Sequence, residues 1–332
     1  MKTKKLSVII LNWNGIELLK KFLPIAAGYT VGENVELVVA DNGSTDDSVA
    51  WIRANCSQVR VLEFGENFGF AAGYNRALRE TDSEYSLLLN SDVEVTPGWW
   101  QPLLEFLERN PEAGACQPKI LSYHNRGAFE YAGAAGGLID RMGYPYCRGR
   151  LFDVVEDDYG QYDNAPERVA WASGAALLVR TEAYFKVGGL DESFFAHMEE
   201  IDLCCRLQGA GMSVWAVPSS KVYHVGGASL AQGNPRKTYL NFRNNLLLLY
   251  KNLPLKRARK VLFLRRLMDT LAWGMYMVKC DFGNANAILK AHRDYRRMKK
   301  NYTVHPERDY MSSLPGADRL IVFDRYLRGR KN

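Results

Sequence analysis

Leu6-Ser7-Val8-Ile9-Ile10-Leu11 and its successor Val35-Glu36-Leu37-Val38-Val39-Ala40 decide the fold. Each run is short, nearly continuous in apolar residues and rich in β-branching, as expected of a strand covered on both faces. Helical spacing follows each one, over Gly15 to Ala27 and over Asp46 to Asn55. The second helix stands behind the turn Asp41-Asn42-Gly43-Ser44-Thr45, in which Ser44 and Thr45 are the expected caps. The strand Val59 to Phe64, a Gly-rich loop from Gly65 to Gly73, a helix ending at Glu80 and the strand Tyr85 to Leu89 continue the alternation. Strands alternating with helices predict an α/β fold with a mostly parallel sheet and right-handed crossovers.

Further along, Trp99 to Arg109 reads as a helix. The chain then turns Gly- and Tyr-rich from Tyr123 to Arg150 and acidic from Asp153 to Asp163, which suggests an insertion or substrate loop. Regular structure resumes with Val169 to Val179, a helix from Glu199 to Gly209, and two short strands, Val214 to Val217 and Lys221 to His224. Beyond Gly233 come three basic amphipathic helices: Tyr239 to Lys251, Leu255 to Lys279 and Asn284 to Lys300.

With 332 residues, 47% apolar and 24% charged, the composition is that of a globular protein and excludes disorder, collagen and small disulfide scaffolds. The net charge of +6 hides a division. Residues 233–332 hold 23 Lys and Arg against 7 Asp and Glu, a net +16, whereas residues 1–232 carry a net −10. A basic C-terminal region points to an anionic partner surface, membrane or nucleic acid. The six cysteines form no C-x-x-C pattern and read as reduced and cytosolic. The basic start, Met1 to Lys5, precedes an apolar run broken at Asn12 and Asn14, so it reads as a first strand rather than a signal peptide. No uncharged apolar stretch reaches the roughly 18 residues of a membrane span.

In a parallel sheet, ligands bind outside the carboxyl ends of the strands. Those ends carry Asn12-Trp13-Asn14, Asp41-Asn42, Asn67 and Asn90-Ser91-Asp92. Asp92 closes Leu87-Leu88-Leu89-Asn90-Ser91-Asp92, where an apolar strand stops, a placement that suits a hard divalent cation, although a turn before Pro97-Gly98 would also use it. Asp41 can accept from a ribose hydroxyl or a base N–H, or serve in a sharp strand-to-helix turn. The loop from Gly65 to Asn75 lets backbone approach a ligand, yet it matches neither a P-loop nor the dinucleotide fingerprint. Glu199, Glu200 and Asp202 crowd one helix start. Asp202 can pair with Arg206 along the helix, which leaves Glu199 and Glu200 at its mouth with carboxyls raised toward a general base. His224 is a metal ligand or a structural imidazole, and Arg243 a phosphate clamp or a surface cation.

The order of these motifs resembles glycosyltransferase family 2, the inverting enzymes of GT-A fold, and especially its bacterial rhamnosyltransferase-like members. The resemblance covers about residues 5–250. It rests on SVIILNWNG (7–15), VVADNGSTDDS (38–48), NFGFAAGYN (67–75), LLNSDV (88–93), WASGAALLVR (171–180), the stretch from Gly188 to Arg206, and VYHVGGAS (222–229). It implies a Rossmann-like catalytic domain over 1–232, with nucleotide-sugar binding in about 1–120 and an acceptor and catalytic part in about 121–232. A basic, mainly helical extension follows over 233–332.

The same resemblance implies that Asp41 contacts the base or ribose and that Asn90-Ser91-Asp92 stands where the family has its D-x-D. Asn12, Asn14, Asn42, Asn67, Gly69, Asn75, Asn90, Asp92 and Arg243 would then surround the nucleotide and its sugar. Asn90 replaces the first acidic position, which leaves Asp92 and His224 as the ligands of Mg²⁺ or Mn²⁺. Glu200 falls where the family has its catalytic base, with Glu199 as the second candidate, and Trp171, Ser173 and Gly174 face the donor sugar or acceptor. The implied donor is a sugar on UDP, dTDP or GDP, and the implied acceptor is a saccharide or lipid-linked saccharide of the cell envelope.

The C-terminal helices fall outside that resemblance. Their charge suits either anionic lipid headgroups, which places the protein on the inner face of the cytoplasmic membrane, or a cap packed on the catalytic domain. No nucleic acid is expected. The competing reading is a non-catalytic scaffold whose basic helices bind a membrane or another anionic partner.

Overall fold

The computed structural model describes residues 4–226, 233–326 and 328. The strands β1 (Lys4–Asn12), β2 (Val35–Asp41), β3 (Arg60–Glu63) and β4 (Ser83–Leu89) alternate with α1 (Ile16–Tyr29), α2 (Ser48–Asn55) and α3 (Gly69–Arg79). β5 (Val93–Val95), α4 (Gln101–Arg109) and β6 (Ala113–Ser122) follow. α4 starts at Gln101, two residues later than expected, with Pro102 in its first turn, where a missing N–H costs nothing.

The Gly- and Tyr-rich stretch, expected as a loop, is organised. Four short strands, β7 (Gly137–Ile139), β8 (Pro145–Cys147), β9 (Arg150–Leu151) and β10 (Val154–Val155), form an antiparallel sheet. Strands of two or three residues are too short to show a period. The acidic stretch beyond them is tied down by buried Lys119, whose Nζ lies 2.7 Å from both Asp158 and Asp163.

β11 (Glu167–Val169), β12 (Ala176–Arg180), α5 (Thr181–Lys186), α6 (Glu199–Gly209) and β13 (Ser213–His224) complete the α/β unit. The two short strands expected before His224 are one. Between them the ladder shifts register from Val217 to Lys221, around Pro218, which has no N–H to donate. The main sheet has the order β11-β13-β6-β12-β4-β1-β2-β3, with β5 on β13. β1 is parallel to β2 and β4, β2 to β3, and β13 to β6. β12 enters antiparallel between β4 and β6. The sheet is thus mostly parallel and flanked by helices, and strand order reverses at β1, where β2 lies on one side and β4 on the other.

The pleat of β1 sends successive side chains to opposite faces. Ile9 packs with Tyr74 and Leu203, whereas Val8 and Ile10 pack with Leu19, Ile52 and Leu103. The C-terminal helices α7 (Pro235–Asn252), α8 (Leu255–Val278) and α9 (Phe282–Met298) continue the first of these cores through Leu246 to Leu249, Val261 and Tyr295, whereas Ile321 of α10 (Ile321–Tyr326) packs with Tyr146 and Leu151 in a separate small cluster. Among the described residues, no helix is long and apolar enough to cross a membrane.

Candidate functional site

At the carboxyl edge of the sheet, the ends of β1, β2 and β4 lie side by side and carry polar residues. β1 and β2 are in register to their last residues, so Asn12 stands opposite Asp41. Asn12 Nδ2 donates to Asp41 Oδ1 at 3.0 Å, and the Ser44 N–H donates to Asp41 Oδ2 at 2.9 Å. The expected caps serve this turn instead of α2. The Asn14 N–H donates to the Ser44 hydroxyl, the Thr45 N–H donates to Asn14 Oδ1, and Asp46 accepts the Ser48 N–H near the helix start.

Asn42 performs a similar task for the Gly-rich loop. It donates to Asn67 Oδ1 and to the Gly69 carbonyl, and it accepts the Phe68 N–H. Two glycines are required here. Gly43 has φ +74°, and a Cβ there would sit 2.6 Å from the Glu66 backbone; Gly69 has φ +78° and lies against the Phe195 ring.

Beyond β4, Asn90 donates its N–H to the Ala175 carbonyl, which leads the chain to Asp92. β5 pairs with the end of β13 and the Val225 N–H donates to the Asp92 carbonyl, which brings His224 alongside. His224 Nε2 lies 3.1 Å from Asp92 Oδ1, and Nδ1 lies 3.5 Å from Glu130 Oε2. All three side chains are buried. Burial opposes charge on the imidazole, but the bonds to Asp92 and Glu130 more than offset this and carry His224 up to about 10. Sequence reasoning misses Glu130 because it lies in the irregular stretch before β7 and has no motif around it.

The two candidate bases sit at the start of α6. Phe195, His197 and Met198 all have positive φ, at 66°, 67° and 73°, so the chain enters the helix through a strained loop. Burial raises both carboxyls, Glu199 further through its charged neighbour Glu200, and Glu200 reaches about 7 although the N–H groups of Glu200 and Ile201 pull it back. One oxygen of each has no hydrogen-bond partner among the described residues. A Cβ built on Gly174 would stand 3.7 Å from Glu200 Cβ and 3.6 Å from Phe70, so these three positions form one wall.

Asp202 behaves differently. Burial would raise its carboxyl, but Arg206 at 2.7 Å and Lys251 at 2.8 Å more than offset this and hold it below the usual range. It anchors α6 to α7.

Other expected site residues are engaged in the framework. Asn75 is bonded to Leu190, Glu192 and Tyr184. The buried Trp171 indole donates to the Leu138 carbonyl at 2.9 Å. The Ser173 hydroxyl donates to the Ala132 carbonyl at 2.7 Å and so ties the connection before β12 to the segment bearing Glu130. The Arg243 guanidinium donates to the carbonyls of Ser193 and Phe194, and Asn244 donates to those of Phe194, Ala196 and His197. Gly227, Ala228 and Ser229 of the last motif lie outside the described residues.

Among the described residues, no group of three or more His, Cys, Asp and Glu encloses an ion position. The adjoining Asp92 oxygen and His224 nitrogen do fit a hard divalent cation whose remaining positions are filled by water and by phosphate oxygens. Glu130 beside the second imidazole nitrogen supplies the outer carboxylate that orients a ligating histidine.

Residues 7–160 match the family model described as Glycosyl transferase family 2. The N-acetylglucosaminyl-diphospho-decaprenol L-rhamnosyltransferase of Mycobacterium tuberculosis is 30% identical over 240 residues, which cover 67% of this chain and 76% of that protein. The uncharacterized protein y4gI of Sinorhizobium fredii is 28% identical over 250 residues, covering 74% of this chain but only 27% of that much longer relative. Among solved structures, GalNAc-T7 with UDP, GalNAc and Mn²⁺ superposes with a TM-score of 0.56 at 16% identity, over 75% of this chain and 48% of that one. That likeness bears on the fold, which is of the GT-A kind seen in glycosyltransferases. With the matching family model, the mycobacterial relative and the shared fold together, this chain belongs to glycosyltransferase family 2.

Proposed function

We propose that the protein transfers one sugar, rhamnose in the first instance, from a nucleoside-diphosphate donor to a hydroxyl of a cell-envelope glycan or lipid-linked saccharide, with inversion at the anomeric carbon. The pairing of Asp92 with His224 beyond β4, beside the strand ends that hold Asn12 and Asp41, carries this reading together with the raised carboxyl of Glu200. The naming of the mycobacterial relative as a rhamnosyltransferase with a lipid-diphosphate acceptor supports the choice of sugar and acceptor.

Asn12 and Asp41 would hold the base or ribose, with Asn14, Asn42, Asn67 and Gly69 shaping the turn and loop around it. Asn90 and Asp92 would face the diphosphate. Asp92 and His224 would hold Mg²⁺ or Mn²⁺, which when bound supplies positive charge beside the leaving diphosphate. Glu200 removes the proton from the acceptor hydroxyl as that oxygen attacks the anomeric carbon. The nucleoside diphosphate leaves from the opposite face. Glu199, one residue earlier and also raised, is the second candidate for the base, and Gly174 leaves room for acceptor beside Glu200.

The outer face of α8 supports a place on the inner surface of the cytoplasmic membrane. Ala258, Val261, Arg265 and Asp269 are buried on one side of this helix, while Phe263, Leu267, Leu271 and Val278 are exposed on the other, with Lys256 and Lys260 on the same side.

The test is release of nucleoside diphosphate from UDP-, dTDP- and GDP-sugars, with and without Mn²⁺, by wild type, Asp92→Ala and Glu200→Gln. The reading expects one donor to be consumed in a metal-dependent way, with the loss of consumption in Asp92→Ala. No release from any donor under any condition would favour the scaffold.

A further inference from the structure

A cavity of about 610 Å³ lies between α7 and α9, with Phe195 of the loop before Glu200 forming part of its wall. Arg236, Tyr239 and Arg243 recur on α7 at intervals of three and four residues and so share one face, while Lys290 enters from α9. The side chains interlock as cations on rings. Arg236 lies 5.3 Å from the centre of Phe195, and Arg243 and Lys290 lie 5.2 and 4.9 Å from that of Tyr239.

The charge balance of this cavity is unusual. Arg243 is only 8% exposed, yet its guanidinium bonds are all to neutral acceptors: Asn244, Tyr239 and the carbonyls of Ser193 and Phe194. Among the described residues, neither it nor Arg236 nor Lys290 is in an ion pair, and the residues outside that set include no Asp or Glu. Asp294, the carboxylate one turn from Lys290, feels that lysine's charge and accepts from Tyr239 at 2.9 Å and from Arg293 at 3.3 Å. Arg236 and Lys290 are exposed, so Arg243 is the buried cation of the three that has no ion pair among the described residues. A buried cation without a counter-charge is costly, and the cost falls when an anion occupies the site.

The cavity is also separate from the metal pair. None of Asp92, His224 and Glu130 lines it, whereas the charge of Lys237, one residue along α7 from Arg236, is felt by Glu130 beside His224. Arg236 and Arg243 turn instead toward the loop of Phe194 and Phe195, and Tyr239 toward Asp294 of α9. If the leaving diphosphate belongs with Asp92 and His224, this second cationic site serves a different anion.

We propose that the cavity is an anion subsite for the acceptor. It would take the phosphate or diphosphate that joins the acceptor sugar to its carrier, with Arg236, Arg243 and Lys290 as charged donors and Phe195 and Tyr239 as apolar walls. This rests on the transferase reading above, because only then does the loop bearing Phe195 present both the base and the acceptor.

Inorganic pyrophosphate, titrated calorimetrically into the full chain in EDTA, tests it. Arg236→Ala/Lys290→Ala removes two charge-assisted donors at once and should weaken binding by about tenfold to a hundredfold, while Asp92→Asn should leave it unchanged. Equal binding by the double variant, loss of binding in Asp92→Asn, or no binding at all would overturn the subsite.

A second titration separates a carrier phosphate from a free anion. A sugar on a short prenyl diphosphate should bind about tenfold more tightly than its methyl glycoside, and that ratio should collapse in the double variant. An unchanged ratio would refute the acceptor role. Nucleotide binding with Mn²⁺ is measured alongside. Its failure while pyrophosphate still binds would count against the transferase reading and so against the acceptor role, whereas its success without pyrophosphate binding would count against the subsite alone.

Discussion

The side-chain amide of Asn244 donates to the backbone carbonyl of His197 at 2.7 Å, so a helix from the basic C-terminal region holds the loop that presents Glu200. The same amide reaches the carbonyls of Phe194 and Ala196 at 3.0 and 2.9 Å. Three residues of that loop, Phe195, His197 and Met198, have positive φ without being glycine, a conformation that costs about 1 to 3 kcal/mol each and persists only where neighbours fix it. α7 is therefore part of the candidate catalytic apparatus.

Asn244→Ala leaves buried carbonyls short of a donor, and unmade bonds of this kind cost about 1 to 3 kcal/mol. The expected outcome is a lower melting temperature and a reduced kcat, with the KM for the donor little changed because the Asp41 turn is untouched. A normal kcat at a temperature where the variant is folded would show that the loop holds its shape without this clamp.

Replacing Glu200 by Gln keeps the size of the side chain and removes its basicity. Turnover should fall by about 10² to 10⁴, with nucleotide affinity retained. Glu199→Gln should have the smaller effect, and the reverse ranking would transfer the role of base to Glu199.

Because burial lifts Glu200 to about 7, the rate should rise as pH passes upward through that value, well above the range of an exposed carboxylate. Stability should move the other way. Between the unfolded value of 4.5 and about 7, the folded state holds the extra proton, so stability falls as pH rises. Glu200→Gln should therefore raise the melting temperature at pH 8 and change it little at pH 4.5. An acid limb centred below pH 5 in the rate profile would contradict the assignment.

Full-length protein should sediment with phosphatidylglycerol vesicles at low salt and much less with phosphatidylcholine. Leu267→Glu/Leu271→Glu, on the exposed face of α8, should abolish this while leaving the melting temperature nearly unchanged, since both side chains are about half exposed or more. Wild type that ignores anionic vesicles would leave α8 as a cap only.

The strand-end residues were legible because a continuous apolar run followed by a polar residue marks both the strand and the place where it stops. Asn12 and Asp41 end β1 and β2 in this way, and Asp92 stands three residues past the end of β4. Glu199 to Arg206 was legible as a helix with one internal ion pair and two carboxyls to spare, and the structure has that division. What stayed hidden is long-range. Glu130 reaches His224 from an irregular segment, and Asn244 stood in the sequence beside Arg243 with nothing to say that its amide would meet three carbonyls. Polar residues in a motif, such as Asn75 and Trp171, look alike whether they touch ligand or brace the framework, and here both are bonded to the backbone of neighbouring segments.

A thermal-shift panel of UDP, dTDP, GDP and CDP, each with and without Mn²⁺ or Mg²⁺, on wild type and Asp92→Ala tests the central claim most directly. A ligand at about 100 times its dissociation constant adds about 2.7 kcal/mol of apparent stability, an increment large enough to read. The account predicts that UDP, dTDP or GDP stabilises wild type only when the metal is present, and that Asp92→Ala loses the shift. Stabilisation that persists in Asp92→Ala, or no stabilisation by any nucleotide, would contradict it.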